Sequence, residues 1–442
     1  MKLDNLKNKR ILILGFGKEG KDTFLFLRKL FPKKVIGIAD RLKIKDLRLK
    51  IKDKRVRLYL GKNYLKTLKD YDVIIKSPGI PFKILPRNVL DKVTTQTEIF
   101  FDNCPGKIVG VTGTKGKSTT TSLIYDILKK GEIKTHLVGN IGKPVLNLLF
   151  SAKKNDIYVY ELSSHQLYNL KPACRQAGNC PHIAVFLNIY PEHLDYYRNF
   201  QEYFKAKQNI TKYQTKEDYF IYNAGDKLVR KVAKKTKARA IPIPTNYEFI
   251  TNIRIPLIGK FNLQNIMAAV TVGRIFGISE KNIKKAIKNF KPLPHRLELV
   301  GTFKRIKFYN DALSTIPETT IAALDALGNK VQTIMLGGFD RKIDFKNLAK
   351  RVLKSKIKNV ILFPTTGEKI WRALRLTSFA QGKKLPKHFF VNNMKDAVKL
   401  AYQYTQRGKI CLLSCASTSF SIFRDYKEKG NLFKKYVRKY AP

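Results

Sequence analysis

The chain contains few features typical of secreted, membrane-spanning or disordered proteins. Its five cysteines in 442 residues form no repeated CxxC spacing, which argues against a disulfide framework or a cysteine zinc site. Cys174 and Cys180 could join His182 at a metal, but loop or core cysteines are the simpler interpretation. No apolar run reaches the roughly 18–20 residues that a membrane span requires, and the first apolar stretch is too short for a signal peptide. We therefore expect a folded cytoplasmic protein of about two to four domains.

Acidic residues are scarce. The chain has 33 of them against 87 lysines and arginines, which gives a formal charge of +54. A basic balance can indicate nucleic-acid binding, and this function remains an alternative. However, the excess is spread along the chain, mostly as lysine, without an arginine-rich arm or a basic tail. This distribution favours lysines on solvated faces, which would also attract polyanionic substrates such as nucleotides.

Short apolar runs alternate with helix-length amphipathic segments, a pattern typical of parallel α/β sheets. Three such blocks predict three domains, with bounds at residues 1–104, 105–297 and 298–442. The predicted strands of these blocks are RILILGFG, KVIGIAD and DVIIKSPGIP; KIVGVTG and the segments 157–161, 183–188 and 219–223; and KFYND, QTIMLGG, NVILF, HFFV and ICLLS.

Residues 15–20 read GFGKEG, between a strand and a helix, and Asp40 closes the next strand. This GxGxxG spacing is typical of a dinucleotide site, because glycines let the backbone approach a diphosphate and the helix N-terminus favours its charge. Asp40 would accept a hydrogen bond from a ribose hydroxyl. NAD and a UDP-sugar both fit, as does a ligand-free turn. Because no hydride-transfer residues follow, a dehydrogenase is the less favoured interpretation.

Residues 113–118 read GTKGKS, again between a strand and a helix. Backbone N–H groups of such a loop point at phosphate oxygens. Lys117 would reach the β- and γ-phosphates, and the Ser118 hydroxyl would bind Mg²⁺. The eight-residue P-loop form requires glycine at position 111, where this chain has Val111. The motif therefore predicts a shortened ATP-binding loop.

Two groups suited to metal binding follow later strands of the same block. Glu161 ends the strand DIYVYE, where a carboxylate can bind Mg²⁺ beside a phosphate loop. His193 lies in the loop NIYPEHLD after another strand, and we interpret it as a second metal ligand or as a capping or surface histidine. A P-loop with these partners predicts an ATP-dependent enzyme but leaves the reaction open.

Taken in order, the motifs GTKGKSTT, ELSSHQL, LNIYPEHLD, GKFNLQNIMAA, PHRLE and LGGFDRKIDF resemble the Mur ligase family, over essentially the whole chain. The resemblance implies an N-terminal Rossmann-like domain, a central P-loop mononucleotide-binding domain and a C-terminal Rossmann-like domain. It also implies ADP-forming ligation of D-glutamate to UDP-N-acetylmuramoyl-L-alanine through an acyl phosphate in peptidoglycan synthesis. ATP and two Mg²⁺ ions would take part. We expect a monomer whose partners are these small molecules, without membrane insertion or nucleic acid.

The resemblance also implies site residues. Lys117, His193, Lys207 and Glu161 would be catalytic. The metal ligands would be Ser118, Glu161, His193 and Lys207, the last as a carbamate formed with CO₂, with Lys205 as the alternative lysine. ATP would contact Gly113, Thr114, Lys115, Gly116, Lys117, Ser118, Thr119, Asn262, Asn265, Arg296 and Asp311. The UDP substrate would contact Gly15, Phe16, Gly17, Asp40, Arg41, Ser77, Pro78, Gly79, Asn140 and Ser163. The amino acid would contact Thr315, Arg341, Ser419 and Phe420.

Three positions depart from the family pattern. Phe261 occupies the place of a histidine before the first asparagine, Leu313 that of a lysine, and Arg341 that of a lysine expected to bind glutamate. An arginine can bind a carboxylate bidentately. These departures leave the acceptor open between D-glutamate, L-glutamate and another amino acid. A folate-type polyglutamate ligase, which would lack the UDP-binding block, and an inactive homologue are further alternatives.

Overall fold

The computed structural model describes residues 1–42, 53–142, 145–170, 180–253 and 255–441. They form three β-sheets flanked by helices, so the predicted α/β class with one sheet for each predicted domain is confirmed. Cys174 lies outside the described residues. Cys104, Cys411 and Cys415 are buried thiols.

The first sheet is entirely parallel. Its strands are Ile11–Leu14 (β1), Ile36–Asp40 (β2), Val56–Leu60 (β3), Val73–Lys76 (β4) and Val93–Thr94 (β5), in the order β3-β2-β1-β4-β5. Its helices are Lys18–Leu30 (α1) and Gln96–Asn103 (α2), with 3₁₀ turns at Leu3–Leu6, Lys66–Asp70, Phe82–Ile84 and Arg87–Lys92. Strands β1 and β4 are buried at every position, as expected for parallel strands covered on both faces.

The second sheet is also parallel. Its strands are Lys107–Thr112 (β6), Thr135–Gly139 (β7), Ile157–Glu161 (β8), Ile183–Phe186 (β9), Tyr219–Tyr222 (β10) and Arg239–Pro242 (β11), in the order β11-β10-β9-β6-β8-β7. The helices that follow along the chain are Lys117–Lys130 (α3), Ser164–Leu167 (α4), Phe200–Gln208 (α5), Lys227–Ala233 (α6), Glu248–Thr251 (α7), Lys260–Ile275 (α8) and Glu280–Asn289 (α9), with 3₁₀ turns at Leu146–Phe150 and Asn209–Thr211. Strand β6 therefore lies between β8 and β9.

The third sheet has one antiparallel edge. Its strands are Glu298–Phe303 (β12), Ile306–Asn310 (β13), Val331–Gly337 (β14), Asn359–Phe363 (β15), Lys387–Phe390 (β16) and Ile410–Leu413 (β17), in the order β12-β13-β17-β14-β15-β16. Only β12 runs antiparallel to its neighbour, β13. The helices are Pro317–Leu327 (α10), Lys346–Leu353 (α11), Thr366–Gln381 (α12), Met394–Tyr404 (α13) and Tyr426–Lys439 (α14), with a 3₁₀ turn at Gly328–Lys330.

The described chain divides into two compact units. The first comprises Met1–Tyr247 and Gln264–Ile287 and contains the first two sheets; the second comprises Glu248–Leu263 and Lys288–Pro442 and contains the third. No helix among the described residues has the length and apolar character needed to cross a membrane. The domain bounds at 104 and 297 stay a prediction.

Candidate active site

The loop after β6 has the backbone of a phosphate cradle. Gly113 has a φ of 151° and Gly116 a φ of 87°, values that side chains disfavour. Helix α3 begins directly after Gly116, so the N-terminal end of the helix faces the loop. The Lys117 ammonium donates to the carbonyls of Gly113 and Thr114, both at 2.9 Å. The predicted phosphate lysine therefore lies over the loop.

Glu161 lies beside this loop because β8 pairs with β6, and it is the partner of Val111 in the register. Its side chain is 5% exposed, and its Oε2 atom has no hydrogen-bond partner in the part of the chain that is described. A buried carboxylate oxygen without a donor suits a cation. Ser118, the other predicted ligand of the first metal, is also buried. The residues thus fit Mg²⁺.

On the other side of β6, residues after β9 contact the phosphate loop through hydrogen bonds and an ion pair. The Asn188 side chain accepts from the Lys115 N–H at 2.8 Å and donates to the Lys115 carbonyl at 3.0 Å. The Lys115 ammonium forms an ion pair of 2.8 Å with buried Glu192. Burial alone would raise the pKa of Glu192, but Lys115, His193 and Lys117 together lower it well below its usual range. Glu192 and Asn188 were not predicted as site residues.

His193 follows Glu192 in the left-handed region, with a φ of 58°. This backbone is uncommon outside glycine, and it occurs more often at functional sites than elsewhere. The His193 ring lies 4.8 Å from the ring of His165 and 6.0 Å from that of Tyr203, measured between centroids. Within the described ranges, no three His, Cys, Asp or Glu side chains converge as a metal site. The predicted metal binding therefore depends on ligands such as Ser118 and a modified lysine.

The structure distinguishes the two candidate lysines of α5. Lys205 is exposed, whereas Lys207 is 2% exposed and donates to the Gly113 carbonyl at 2.8 Å. Burial and the charge of Lys117 lower the pKa of Lys207 well below its ordinary value. A neutral amine is the form that reacts with CO₂ as a nucleophile. Burial and a lowered pKa both favour Lys207 over Lys205 for this reaction, and the carbamate stays a prediction.

Two further predicted contacts lie against these groups. The backbone N–H of Asn140 donates to the Glu161 carbonyl at 3.3 Å, which places the turn after β7 beside the end of β8. A Cβ placed on Gly116 would lie 2.4 Å from Oδ1 of Asn265. Asn265 therefore lies against the phosphate loop, and its contact with ATP stays a prediction.

In the first sheet, the predicted diphosphate turn has the expected backbone. Gly15 has a φ of 90° and its carbonyl accepts from the Ser77 hydroxyl at 2.7 Å. The Asp40 carboxylate accepts from the N–H groups of Phe16 and Leu42, at 2.6 and 2.9 Å. The GxGxxG turn follows β1, Asp40 ends β2, and the turn Ser77–Pro78–Gly79 follows β4. These three segments thus lie together at the carboxyl ends of three adjacent strands.

Two glycines of this motif are expected to differ in how much stability they lose when replaced by alanine. A Cβ on Gly20 would lie 2.0 Å from the Gly15 carbonyl oxygen, whereas a Cβ on Gly17 would meet nothing within 4 Å. We expect Gly20→Ala to lower the free energy of unfolding by about 1–3 kcal/mol. Gly17→Ala should cost below about 1 kcal/mol but weaken UDP binding, because its methyl group enters the space open to the diphosphate. Calorimetric unfolding measures the stability of the two variants, and titration with UDP measures their binding. Equal losses of unfolding free energy in the two variants would contradict the expectation.

In the second unit, the predicted amino-acid contacts follow three adjacent strands. Thr315 comes after β13, Ser419 and Phe420 after β17, and Arg341 after β14. The loops after β14 and β17 are in contact, since the Phe339 N–H donates to the Thr418 carbonyl at 2.8 Å. The buried Ser419 hydroxyl has no hydrogen-bond partner among the described residues, while Phe420 is exposed.

The predicted ATP contacts in the second unit are Asp311, Asn262 and Arg296. Asp311 is buried and accepts from the Ser314 and Ser414 hydroxyls and from the Leu297 N–H. Burial raises the pKa of Asp311 to about 6. The Asn262 amide donates to the Ile258 carbonyl at 2.8 Å. The ATP contacts of Asp311, Asn262 and Arg296 stay predictions.

Comparison with known proteins supports the same interpretation. Residues 111–249 match the family described as Mur ligase middle domain. The chain is 33% identical to UDP-N-acetylmuramoylalanine–D-glutamate ligase of Acetivibrio thermocellus over 461 positions, covering 98% of this chain and 97% of the relative.

Solved structures with low sequence identity share the fold. MurF from Acinetobacter baumannii matches with a TM-score of 0.63 at 14% identity, over 97% of this chain and 90% of that chain. UDP-N-acetylmuramate-alanine ligase MurC from Thermotoga maritima matches with a TM-score of 0.60 at 16% identity, over 98% and 99%. At these identities the likeness concerns the fold alone, and it confirms the three-domain α/β prediction.

Proposed function

Because this chain belongs to the Mur ligase family, we propose that it joins D-glutamate to UDP-N-acetylmuramoyl-L-alanine at the expense of ATP, in peptidoglycan synthesis. The observation that best supports this proposal is the arrangement of loops at the carboxyl edge of the second sheet. There the phosphate loop after β6 lies between Glu161 at the end of β8 and the Glu192–His193 loop after β9. Such an edge is where open α/β sheets bind nucleotides.

The proposed reaction has two steps. The carboxylate of UDP-N-acetylmuramoyl-L-alanine attacks the γ-phosphorus of ATP, the bond to the β-phosphate oxygen breaks, and an acyl phosphate and ADP form. The amine of glutamate then attacks the acyl carbon, phosphate leaves, and the amine proton is released. Lys117 stabilises the negative charge on the transferred phosphoryl group in the first step.

Ser118, Glu161, His193 and the carbamate of Lys207 would bind two magnesium ions. Bound Mg²⁺ neutralises phosphate charge and orients the phosphoryl group for in-line transfer. The carbamate would form when the neutral Lys207 amine adds to CO₂ and loses a proton, which places an anion where a protonated lysine would repel Mg²⁺. The ion pair between Lys115 and Glu192 fixes the loop backbone around the phosphates.

The two other substrates occupy the sites described for them. The UDP group would lie at residues 15–17 with Asp40, Arg41 and the turn at 77–79, and its muramoyl-peptide part would extend to Asn140 and Ser163. Glutamate would bind in the second unit, where the Arg341 guanidinium would donate two hydrogen bonds to a carboxylate and Thr315, Ser419 and Phe420 would line the pocket.

A phosphate-release assay tests the proposal. We expect release only when UDP-N-acetylmuramoyl-L-alanine, ATP and glutamate are all present, and faster release with the D- than with the L-enantiomer. A screen of related amino acids, run in parallel, identifies the acceptor. Folded protein that releases no phosphate with any acceptor would refute the ligase function, and a preference for L-glutamate would correct only the acceptor.

A further inference from the structure

The Gln166 side chain forms hydrogen bonds both with helix α1 and with the segment that follows β8, the strand that ends at the predicted metal ligand Glu161. Gln166 donates through Nε2 to Oε1 of Glu19, on α1, at 2.9 Å. Its Oε1 accepts from the N–H and hydroxyl of Ser163, at 2.9 and 3.0 Å. Ser163 follows Glu161 by two positions. A single buried amide therefore connects the start of α1 to the segment that carries a predicted metal ligand.

A buried lysine, Lys76, contacts the turn after β4, which lies beside the predicted diphosphate turn. Lys76 is 1% exposed and donates to the carbonyls of Ser77 and Ile80, at 3.0 and 2.8 Å. The Ser77 hydroxyl in turn donates to the Gly15 carbonyl. The Lys76 ammonium thus fixes the turn that supports the diphosphate-binding glycines.

Glu19 and Lys76 interact through their charges. Burial raises the pKa of Glu19 to about 7, while Gln166 and Lys76 oppose this rise. Burial lowers the pKa of Lys76 to about 7, and Glu19 opposes that fall. Lys76 is buried and Glu19 is partly buried, and a hydrogen bond to a charged group in such surroundings is costly to lose.

We infer that Glu19 and Gln166 are positioning residues, whose hydrogen bond sets the diphosphate turn at residues 15–17 relative to the strand end that carries Glu161. This inference rests on the proposed function. The donor carboxylate belongs to a molecule bound at the turn, and the γ-phosphate lies at the strand end. A displacement of one site relative to the other by about 1 Å can lower the rate about a hundredfold.

Gln166→Glu, assayed well above the raised pKa of Glu19 of about 7 so that both carboxyl groups are ionised, tests this contact. The substitution keeps the shape and the acceptor for Ser163 but replaces the donor to Glu19 by a carboxylate. We expect kcat to fall at least about tenfold, with the KM for ATP within about threefold of wild type, since the phosphate loop is untouched. Glu19→Gln keeps an acceptor for Gln166 and should retain most of the activity.

The double variant Glu19→Gln, Gln166→Glu reverses the polarity of the bond. The new amide at position 19 can donate to the new carboxylate at position 166, so we expect kcat to recover at least half of the loss on a logarithmic scale. A purely structural defect would not recover through this exchange.

Asn147→Asp is the matched control, because Asn147 also donates to a carboxylate of α1, that of Asp22, at 2.8 Å but is not among the predicted site residues. It creates the same carboxylate pair, so its thermal midpoint should fall, but kcat should stay within twofold. Equal kcat losses for Gln166→Glu and Asn147→Asp, or no recovery in the double variant, would overturn the inference. An inactive wild-type protein would instead count against the proposed function.

Discussion

Replacing Lys117 by alanine is expected to lower the rate of phosphate release by about a thousandfold or more. The ammonium of Lys117 lies over the loop, on the carbonyls of Gly113 and Thr114. ATP phosphates are better acceptors than these carbonyls, so the ammonium can turn to them without leaving the loop. Its removal would take away the cation proposed to stabilise the charge of the transferring phosphoryl group.

Lys130→Ala is the control for this experiment, because Lys130 ends the same helix and is exposed. Its activity should equal that of the wild type, and both variants should unfold at similar temperatures. Turnover of Lys117→Ala within tenfold of wild type would remove the assigned role of this lysine.

Replacing Lys207 by alanine should reduce activity to a similar degree, because the predicted carbamate supplies a metal ligand. Lys205→Ala should leave activity unchanged, since that side chain is exposed on the same helix. In wild-type protein, removal of bicarbonate and CO₂ should lower activity reversibly, and readdition should restore it.

Native mass measurement provides a second readout for Lys207. We expect the mass of one added CO₂ in wild type and in Lys205→Ala, and no such addition in Lys207→Ala. Activity that is insensitive to bicarbonate, together with an unmodified lysine, would refute carbamylation without affecting the role of Lys117.

Features that depend on neighbouring residues were predictable from the sequence. The GFGKEG and GTKGKS turns each lie between a strand and a helix, since glycine spacing and flanking apolar runs act locally. The long buried strands were likewise predicted. The edge strands β3, β5, β7, β11 and β12 were not predicted. Four of them have at most one buried residue, and β5 is only two residues long, so their sequences carry no clear apolar run.

Features that depend on tertiary contacts were missed. Glu192 is one position before His193, but its ion pair with Lys115 needs β9 beside β6, which the order of strands in the chain does not reveal. Likewise, Glu19 and Lys76 come together only because β1 and β4 are neighbours. Lys207 was named ahead of Lys205 from the resemblance, and helical spacing supports that order, since Lys207 follows Tyr203 by one helical turn and both are buried.

The position of Lys207 has a consequence for stability. Burial lowers the pKa of Lys207, and the cationic side chains of Lys117 and Lys115, which repel each other at the same loop, lower it further. A polyanion relieves this repulsion only in the folded state, which makes ATP binding and folding of the first unit thermodynamically linked. At a free ATP concentration of one hundred times its dissociation constant, the linkage contributes about 2.7 kcal/mol. In a cell rich in ATP, the nucleotide would then act as a stabilising component of the fold as well as a substrate.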